Sequence, residues 1–344
     1  MNSQRGKLIL FGSGETSPTG RKIHSKFFQQ EALRQTVAIL ETPAGFQPNA
    51  DLVAKEVAKA LQESAGPFIK QITCIPARKK GTHFSPDNET ILTPLHDADY
   101  LLIGPGSPSY TVRQLRDSQA LVLMLKRWEE GATLALSSAS ALAAGCYTLP
   151  VYEIYKAGHD LYWDDGLHMF GKVDLDLTIV THWDNNDGGK DLDTRFCYMG
   201  KDRFEVLRKL LPEDEEILGI DEHTAIIFDF QKEVFEVIGN GSIYLLKEDR
   251  QITFPKGFYA LASIASMEVF SVANPHTQNK KLQDEKEIIA IDSLPSELQT
   301  LLQEREKAKQ EKNFTKADEI RTLFQKQGYT LEDSTNAQTV YKAQ

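Results

Sequence analysis

Cysteine is scarce in this chain: Cys74, Cys146 and Cys197 are the only three among 344 residues, odd in number and scattered. That spacing gives neither a disulfide framework nor a zinc site, so a reducing compartment, the cytoplasm by default, is the expected home. Long apolar runs are missing too. None approaches the roughly 20 residues of a membrane span, and the first run, Leu8 to Phe11, is too short for the core of a secretory signal. Positive charge is in deficit: 39 Lys and Arg stand against 49 Asp and Glu, a net charge of −10. A basic surface broad enough to cover nucleic acid is thereby excluded, although a local patch is not. No G-x-x-x-x-G-K-[ST] occurs, and Gly12-Ser-Gly14 and Gly104-Pro-Gly106 lack the third glycine of G-x-G-x-x-G. Nucleotide binding has no support, and no cofactor is expected. Internal repeats and low-complexity tracts are absent as well.

What is present is an ordinary globular composition, 41% hydrophobic and 26% charged, in a chain long enough for one large domain and an appendage. Strand-like apolar runs at Lys7–Phe11, Val37–Leu40, Ile69–Ile75, Tyr100–Ile103, Thr133–Leu136 and Leu177–Val180 alternate with helical patterns. Leu52, Val53, Val57, Ala60 and Leu61 mark one such helix; Leu121, Leu123, Leu125 and Trp128 mark another. Near-continuous apolar strands separated by helices predict an α/β fold, a doubly wound, mostly parallel sheet covered on both faces. From Gly219 onward, short strands around Ile220–Phe228, Val234–Ile238 and Ser242–Leu246, the last two joined by Gly239-Asn-Gly241, read as a meander. The boundaries drawn are a domain over 1–273, a linker over 274–293 and a tail over 294–344.

Parallel sheets bind ligands beyond the carboxyl ends of their strands. Five strands here run into polar or glycine-rich turns: Gly12-Ser-Gly-Glu15, Glu41-Thr-Pro-Ala-Gly45, Gly104-Pro-Gly106, Ser137-Ser138-Ala139-Ser140 and Thr181-His182-Trp183-Asp184. Ser138 lies where a buried strand gives way to a helix of small residues, the architecture that projects a serine hydroxyl beyond a sheet edge. Such a hydroxyl needs a base, a group to orient the base, and backbone donors for an oxyanion. His182 is the candidate base, and the N–H groups of Ala139 and Gly106 are the candidate oxyanion donors. For the acid, Glu153, Asp160, Asp164 and Asp165 lie between Ser138 and His182 in sequence, with Glu153 favoured. Glu15, in the opening glycine turn, and Arg195, after the His182 loop, are the candidate substrate-binding residues. Arg21, Lys22 and Arg113 are further cations near these turns.

The elbow departs from G-x-S-x-G, with Leu136 at the first glycine and Ser140 at the second. A side chain at 136 is expected to crowd the turn and hold the hydroxyl out of line. The bland alternative is that these serines merely let a helix pack tightly on a strand and that His182 is a core histidine. A cysteine-based amidotransferase fits less well, because the nearest thiol, Cys146, lies two helical turns further on. No metal site is expected. In Asp184–Asp193 the calcium-loop spacing puts Gly188 at a ligand position and Arg195 where a glutamate belongs, and His159, Asp160, Asp164, Asp165 and His168 read as solvated loop residues.

The succession Gly12-Ser-Gly-Glu15, Leu102-Ile-Gly-Pro-Gly106, Ser137-Ser-Ala-Ser-Ala141, Thr181-His182 and Leu218-Gly-Ile-Asp-Glu222-His-Thr-Ala225 resembles the cyanophycinase and peptidase E family of serine peptidases over about residues 7–246. The resemblance implies a flavodoxin-like fold of the class I glutamine amidotransferase type. It also implies hydrolysis of small peptide or amide bonds, aspartyl-linked among them, with Ser138 as nucleophile, His182 as base, and Ala139 and Gly106 as oxyanion donors. The family's usual Gly-x-Ser-Ala-Gly-Ala differs at Leu136 and Ser140, which also admits an inactive relative that binds a ligand or RNA.

The stretch Glu304–Arg321, followed by Gly328-Tyr-Thr-Leu-Glu-Asp333, is similar to the C-terminal tail of cysteinyl-tRNA synthetases, which implies a tRNA partner. Two helical patterns, Leu294–Lys312 and Thr315–Gln327, predict a helical hairpin stopped at Gly328. Its seven Lys and Arg against six Asp and Glu over 295–328 leave little net charge for RNA. A packing or dimerising hairpin, burying Phe314, Ile320, Leu323 and Phe324, is the competing expectation, and a homo-oligomer fits it.

Overall fold

The structure, a computed structural model, describes residues 5–31, 33–173, 175–275, 288–289, 291, 294–311, 313–333 and 338–342. The chain divides into two compact units, Met1–Ala273 and Asn274–Gln344.

In the first unit, β1 (Leu8–Phe11), α1 (Pro18–Gln30), β2 (Gln35–Leu40), α2 (Ala50–Ala65), β3 (Ile69–Ile75), α3 (Glu89–Leu92), β4 (Tyr100–Ile103), α4 (Pro108–Leu115), α5 (Gln119–Glu129), β5 (Thr133–Ser137) and α6 (Ala139–Ala144) alternate as strand and helix. A short ribbon, β6 (Tyr147–Thr148) with β7 (Asp164–Asp165), precedes β8 (Leu177–Val180), α7 (Gly200–Arg208) and six further strands: β9 (Glu216–Ile220), β10 (Thr224–Asp229), β11 (Val234–Gly239), β12 (Ile243–Lys247), β13 (Arg250–Phe254) and β14 (Gly257–Ala260). The large sheet has the order β14-β11-β10-β1-β5-β4-β2-β3. It is parallel from β1 through β3, with β10, β11 and β14 added antiparallel. The result is the doubly wound α/β architecture.

The period-2 geometry of a strand divides β1 between two cores: Leu8 and Leu10 join one apolar cluster, Ile9 and Phe11 the other. Helices cover both faces, which is why the parallel strands are apolar at nearly every position. In α2 the stripe Ala54, Val57, Leu61 is buried, while Leu52 is exposed.

Two departures concern the second half of this unit. The strand Leu177–Val180 does not extend the parallel sheet; it forms the edge of a second, four-stranded sheet of order β13-β12-β9-β8. The meander is also broken, because β11 and β12 belong to different sheets, so Gly239-Asn-Gly241 is a crossing and not a hairpin turn. Gly239 permits it: its φ is +129°, and a Cβ there would lie 2.3 Å from the His223 carbonyl oxygen.

The second unit contains helices Ser296–Gln310 and Phe314–Lys326, ended by Gly328 at φ +79°. Beyond the predicted hairpin it holds a three-stranded antiparallel sheet, in which Gln338–Lys342 lies between Tyr329–Asp333 and Ile288–Ile289. Most of the expected linker, 274–293, falls outside the described residues, but its Ile288–Ile289 is a strand of this unit. Ile320 and Phe324 are buried among Leu294, Leu298, Leu302 and Leu331, whereas Phe314 and Leu323 are exposed, against expectation. The helix turns Ile320 and Phe324, four residues apart, to one face. Among the described residues no helix is long and apolar enough to cross a membrane.

Candidate active site

β5 is buried throughout, and the chain leaves it at Ser138 with φ 52° and ψ −107°. A non-glycine residue held there stores on the order of 1–3 kcal/mol of strain. Neighbouring hydrogen bonds hold the turn. The Ser138 N–H donates to the Phe11 carbonyl at 3.1 Å. Ser140 Oγ accepts from the Ser137 N–H at 2.8 Å and donates to the Ile103 carbonyl at 2.7 Å. Ser140 thus pins the elbow through its hydroxyl, where a glycine could not.

Leu136 does not crowd the turn. It pairs with Leu10 on β1 and Ile103 on β4 and is packed in the core with them, because two residues before the elbow the strand still points this position inward.

His182 stands two residues beyond β8, with φ 51°, its N–H donating to the Gly12 carbonyl at 3.3 Å. β8 runs parallel to β9, with Val180 opposite Gly219. The residues just past each strand therefore emerge side by side, His182 from one and Asp221-Glu222 from the other. His182 Nε2 lies 2.7 Å from Ser138 Oγ, and Nδ1 lies 2.7 Å from Glu222 Oε1. A carboxylate at Nδ1 fixes the proton there and leaves Nε2 as an acceptor for the serine hydroxyl. Glu222 is itself braced: Asn185 Nδ2 donates to the same Oε1 at 2.9 Å, and the Glu222 N–H donates to Asp184 Oδ1 at 2.7 Å. The His182 hydrogen bond, with help from Asn185 and against the cost of burial, holds the Glu222 carboxyl below its ordinary range.

The serine opens on a small cavity of about 60 Å³ walled by Gly106, Ala139, Leu142, Tyr152, His182 and Tyr198 among others. Ala139 is the first residue of α6, so its N–H has no acceptor within the helix. Gly106, at φ +155°, approaches so closely that a Cβ would lie 2.1 Å from the Pro43 carbonyl oxygen.

The other residues expected at the site lie elsewhere. Glu153 does not meet His182; its Oε1 accepts from Ser109 Oγ at 2.5 Å, with Arg113 3.9 Å away. It rides on a π-helical turn, Tyr152–Lys156, which aims it at α4. Glu15 is buried beneath the elbow, accepting from Ser137 Oγ at 2.5 Å, and does not line the cavity. Arg195 is paired with Asp193 through contacts of 2.9 and 2.7 Å and lines a different pocket with Asp184 and Asn185. Arg21 is paired with Glu63. Among the described residues no group of three or more His, Cys, Asp or Glu is placed to hold a metal.

Sequence reasoning missed Glu222 because it sought the acid between Ser138 and His182 in chain order. The available signal was the polar run Asp221-Glu222-His223 between two apolar strands.

The family model for the cysteinyl-tRNA ligase anticodon binding domain matches residues 292–340. A cysteine–tRNA ligase of Prochlorococcus marinus (strain MIT 9301) is 31% identical over 150 residues, 42% of this chain and 28% of the relative. One of Listeria welshimeri is 31% identical over 99 residues, 29% of this chain and 18% of the relative. The chain thus spans less than a third of these relatives' length. Among solved structures, a peptidase from an acI-B1 Actinobacterium superposes with a TM-score of 0.59 at 18% identity, covering 76% of this chain and 98% of that one. The chain shares the fold of that peptidase and carries a segment similar to the anticodon-binding end of cysteine–tRNA ligases.

Proposed function

We propose that the first unit is a serine hydrolase of peptide or amide bonds, with Ser138, His182 and Glu222 as its catalytic triad. The observation that carries this is the unbroken chain of 2.7 Å contacts from Ser138 Oγ through both nitrogens of His182 to Glu222, set on a strained elbow. Ser138 Oγ attacks the scissile carbonyl carbon as its proton passes to His182 Nε2. The oxyanion is received by the N–H groups of Ala139 and Gly106. Collapse breaks the C–N bond, His182 returns the proton to the leaving amine, and water then cleaves the acyl-enzyme by the same route in reverse. Glu222 keeps the imidazole in the receiving tautomer and stabilises the imidazolium. The three free thiols fit a reducing compartment such as the cytoplasm.

The aspartyl preference implied by the resemblance calls for a cation facing the serine. Arg195, the expected one, is engaged by Asp193 outside the cavity, so that preference has no support from it. The test of the reaction class is labelling by a fluorophosphonate. Wild type should label at one site and Ser138→Ala should not; equal labelling of both removes Ser138 as nucleophile.

For the second unit, the match of residues 292–340 favours a tRNA contact. Binding to bulk tRNA should weaken as salt rises and be lost from a chain ending at Asp292. Undiminished binding by the shortened chain places the contact elsewhere.

A further inference from the structure

Beside the serine cavity lies a larger pocket, about 440 Å³, lined by Phe46, Ser107, Tyr110, Arg113, Tyr152 and Lys156 among others. The two share a wall. Tyr152 lines both, and Gly106 and Pro108 on the catalytic side flank Ser107 on the other. Three rings form its walls: Phe46 stands 5.2 Å from Tyr110 and 6.4 Å from Tyr152 between centroids. Phe46 is 49% exposed and Tyr152 37%. Both residues thus leave apolar surface open to water, as the aromatic lining of a ligand pocket does.

The charges around the pocket are largely committed. The Arg113 guanidinium lies 6.0 Å from the Tyr110 ring centroid and 3.9 Å from Glu153, and Glu153 accepts from Ser109. Lys156 alone has no ion-pair partner among the described residues, and it lies on the same π-helical turn as Tyr152. Such turns displace side chains from helical positions and recur at functional sites.

The geometry points to this pocket as the subsite for a bulky aromatic group of the substrate next to the scissile carbonyl, with Phe46 and Tyr152 as its specificity-determining residues. The inference rests on Ser138 being the nucleophile. An aromatic side chain fits the volume and meets ring faces and edges at stacking distance. A small group leaves the rings wet, and an acidic one, whatever charge Lys156 offers it, covers no ring face either.

The test uses the full chain and three fluorophosphonates that differ only in the group nearest phosphorus: benzyl, methyl or carboxyethyl. In each, Ser138 Oγ forms the O–P bond, fluoride leaves with the P–F electrons, and His182 takes the hydroxyl proton. Benzyl should label Ser138 about tenfold or more faster than either other probe. Phe46→Ala should cut the benzyl-to-methyl ratio roughly two- to tenfold, and Phe46→Tyr should keep it. Because the readout is a ratio within one protein, a general loss of folded material does not imitate it. Equal benzyl and methyl rates, a faster carboxyethyl probe, or an unchanged ratio in Phe46→Ala overturns the aromatic subsite while leaving the nucleophile intact. Failure of every probe to label Ser138 overturns the nucleophile and the subsite with it.

Discussion

The two sheets of the first unit contribute to the site in different ways. The large sheet supplies one residue, Ser138, from a strand whose every position is buried and whose exit is strained. The small sheet supplies two, His182 and Glu222, from strands paired in parallel register, so that imidazole and carboxylate are fixed to each other by the same ladder that forms the sheet. Between the sheets the link is local. Phe11 accepts from the Ser138 N–H and Gly12 from the His182 N–H, through consecutive carbonyls at the end of β1. The hydroxyl and the imidazole are thus referenced to one point of the backbone. The division of labour teaches that the placement of Ser138 depends on core packing, and that of His182 on a hydrogen-bonded carboxylate.

The largest effect should come from breaking the small sheet's contribution. Glu222→Gln places an amide against His182 Nδ1, favouring the tautomer whose Nε2 carries the proton and cannot receive one from Ser138. Turnover of an amide substrate, or the labelling rate, should fall about 10³- to 10⁴-fold. Glu153→Gln, away from the imidazole, should stay within about tenfold of wild type. Reversal of that order would return Glu153 to the role its sequence position suggested.

The contrast between the sheets also explains what was legible in the sequence. The parallel strands, the elbow at Ser138 and the glycine turn at Gly106 follow from local pattern: apolar runs, small residues after a strand, a glycine where backbones touch. His182 follows once β8 is recognised as a strand. Glu222 depends on which strand lies beside β8, a tertiary fact with no local signature. The same blindness broke the meander at Gly239-Asn-Gly241, since spacing gives the turn but not the sheet each flank joins. Arg195 failed for another reason, because the competing partner Asp193 sits only two residues away.

On the large sheet, the core interpretation of Leu136 has a smaller and opposite test. If Leu136 crowded the elbow, Leu136→Gly would restore the first glycine of the usual motif and speed labelling. In the structure its side chain is fully buried between Leu10 and Ile103, so the glycine should lower stability by about 3–5 kcal/mol through the cavity and the loosened strand. Labelling of the fraction that remains folded should show no gain. A tenfold acceleration would mean that the side chain does restrain the hydroxyl.

The smallest effect separates two adjacent carboxyls on the small sheet. Burial pushes the Asp221 carboxyl up to about 6, against the help of the Ser242 N–H at 2.8 Å and the Tyr244 hydroxyl at 3.2 Å, while Glu222 is drawn down by His182. Their contributions to stability therefore run in opposite directions and in different windows. For Asp221 the folded value lies above the ordinary carboxyl value of about 3.9. Its stabilising contribution is complete below about pH 4 and is lost as pH rises through about 6. For Glu222 the contribution is present above about pH 4.3 and is lost as pH falls through the lowered folded value. Asp221→Asn keeps an acceptor for Ser242 and Tyr244 but removes the ionisation. Its unfolding free energy, followed by denaturant titration from pH 4 to 7, should gain on wild type by on the order of 2 kcal/mol across that range. Glu222→Gln should diverge from wild type mainly below that window. Parallel curves for wild type and Asp221→Asn would mean that Asp221 titrates normally and that the turn between the sheets holds its charge without cost.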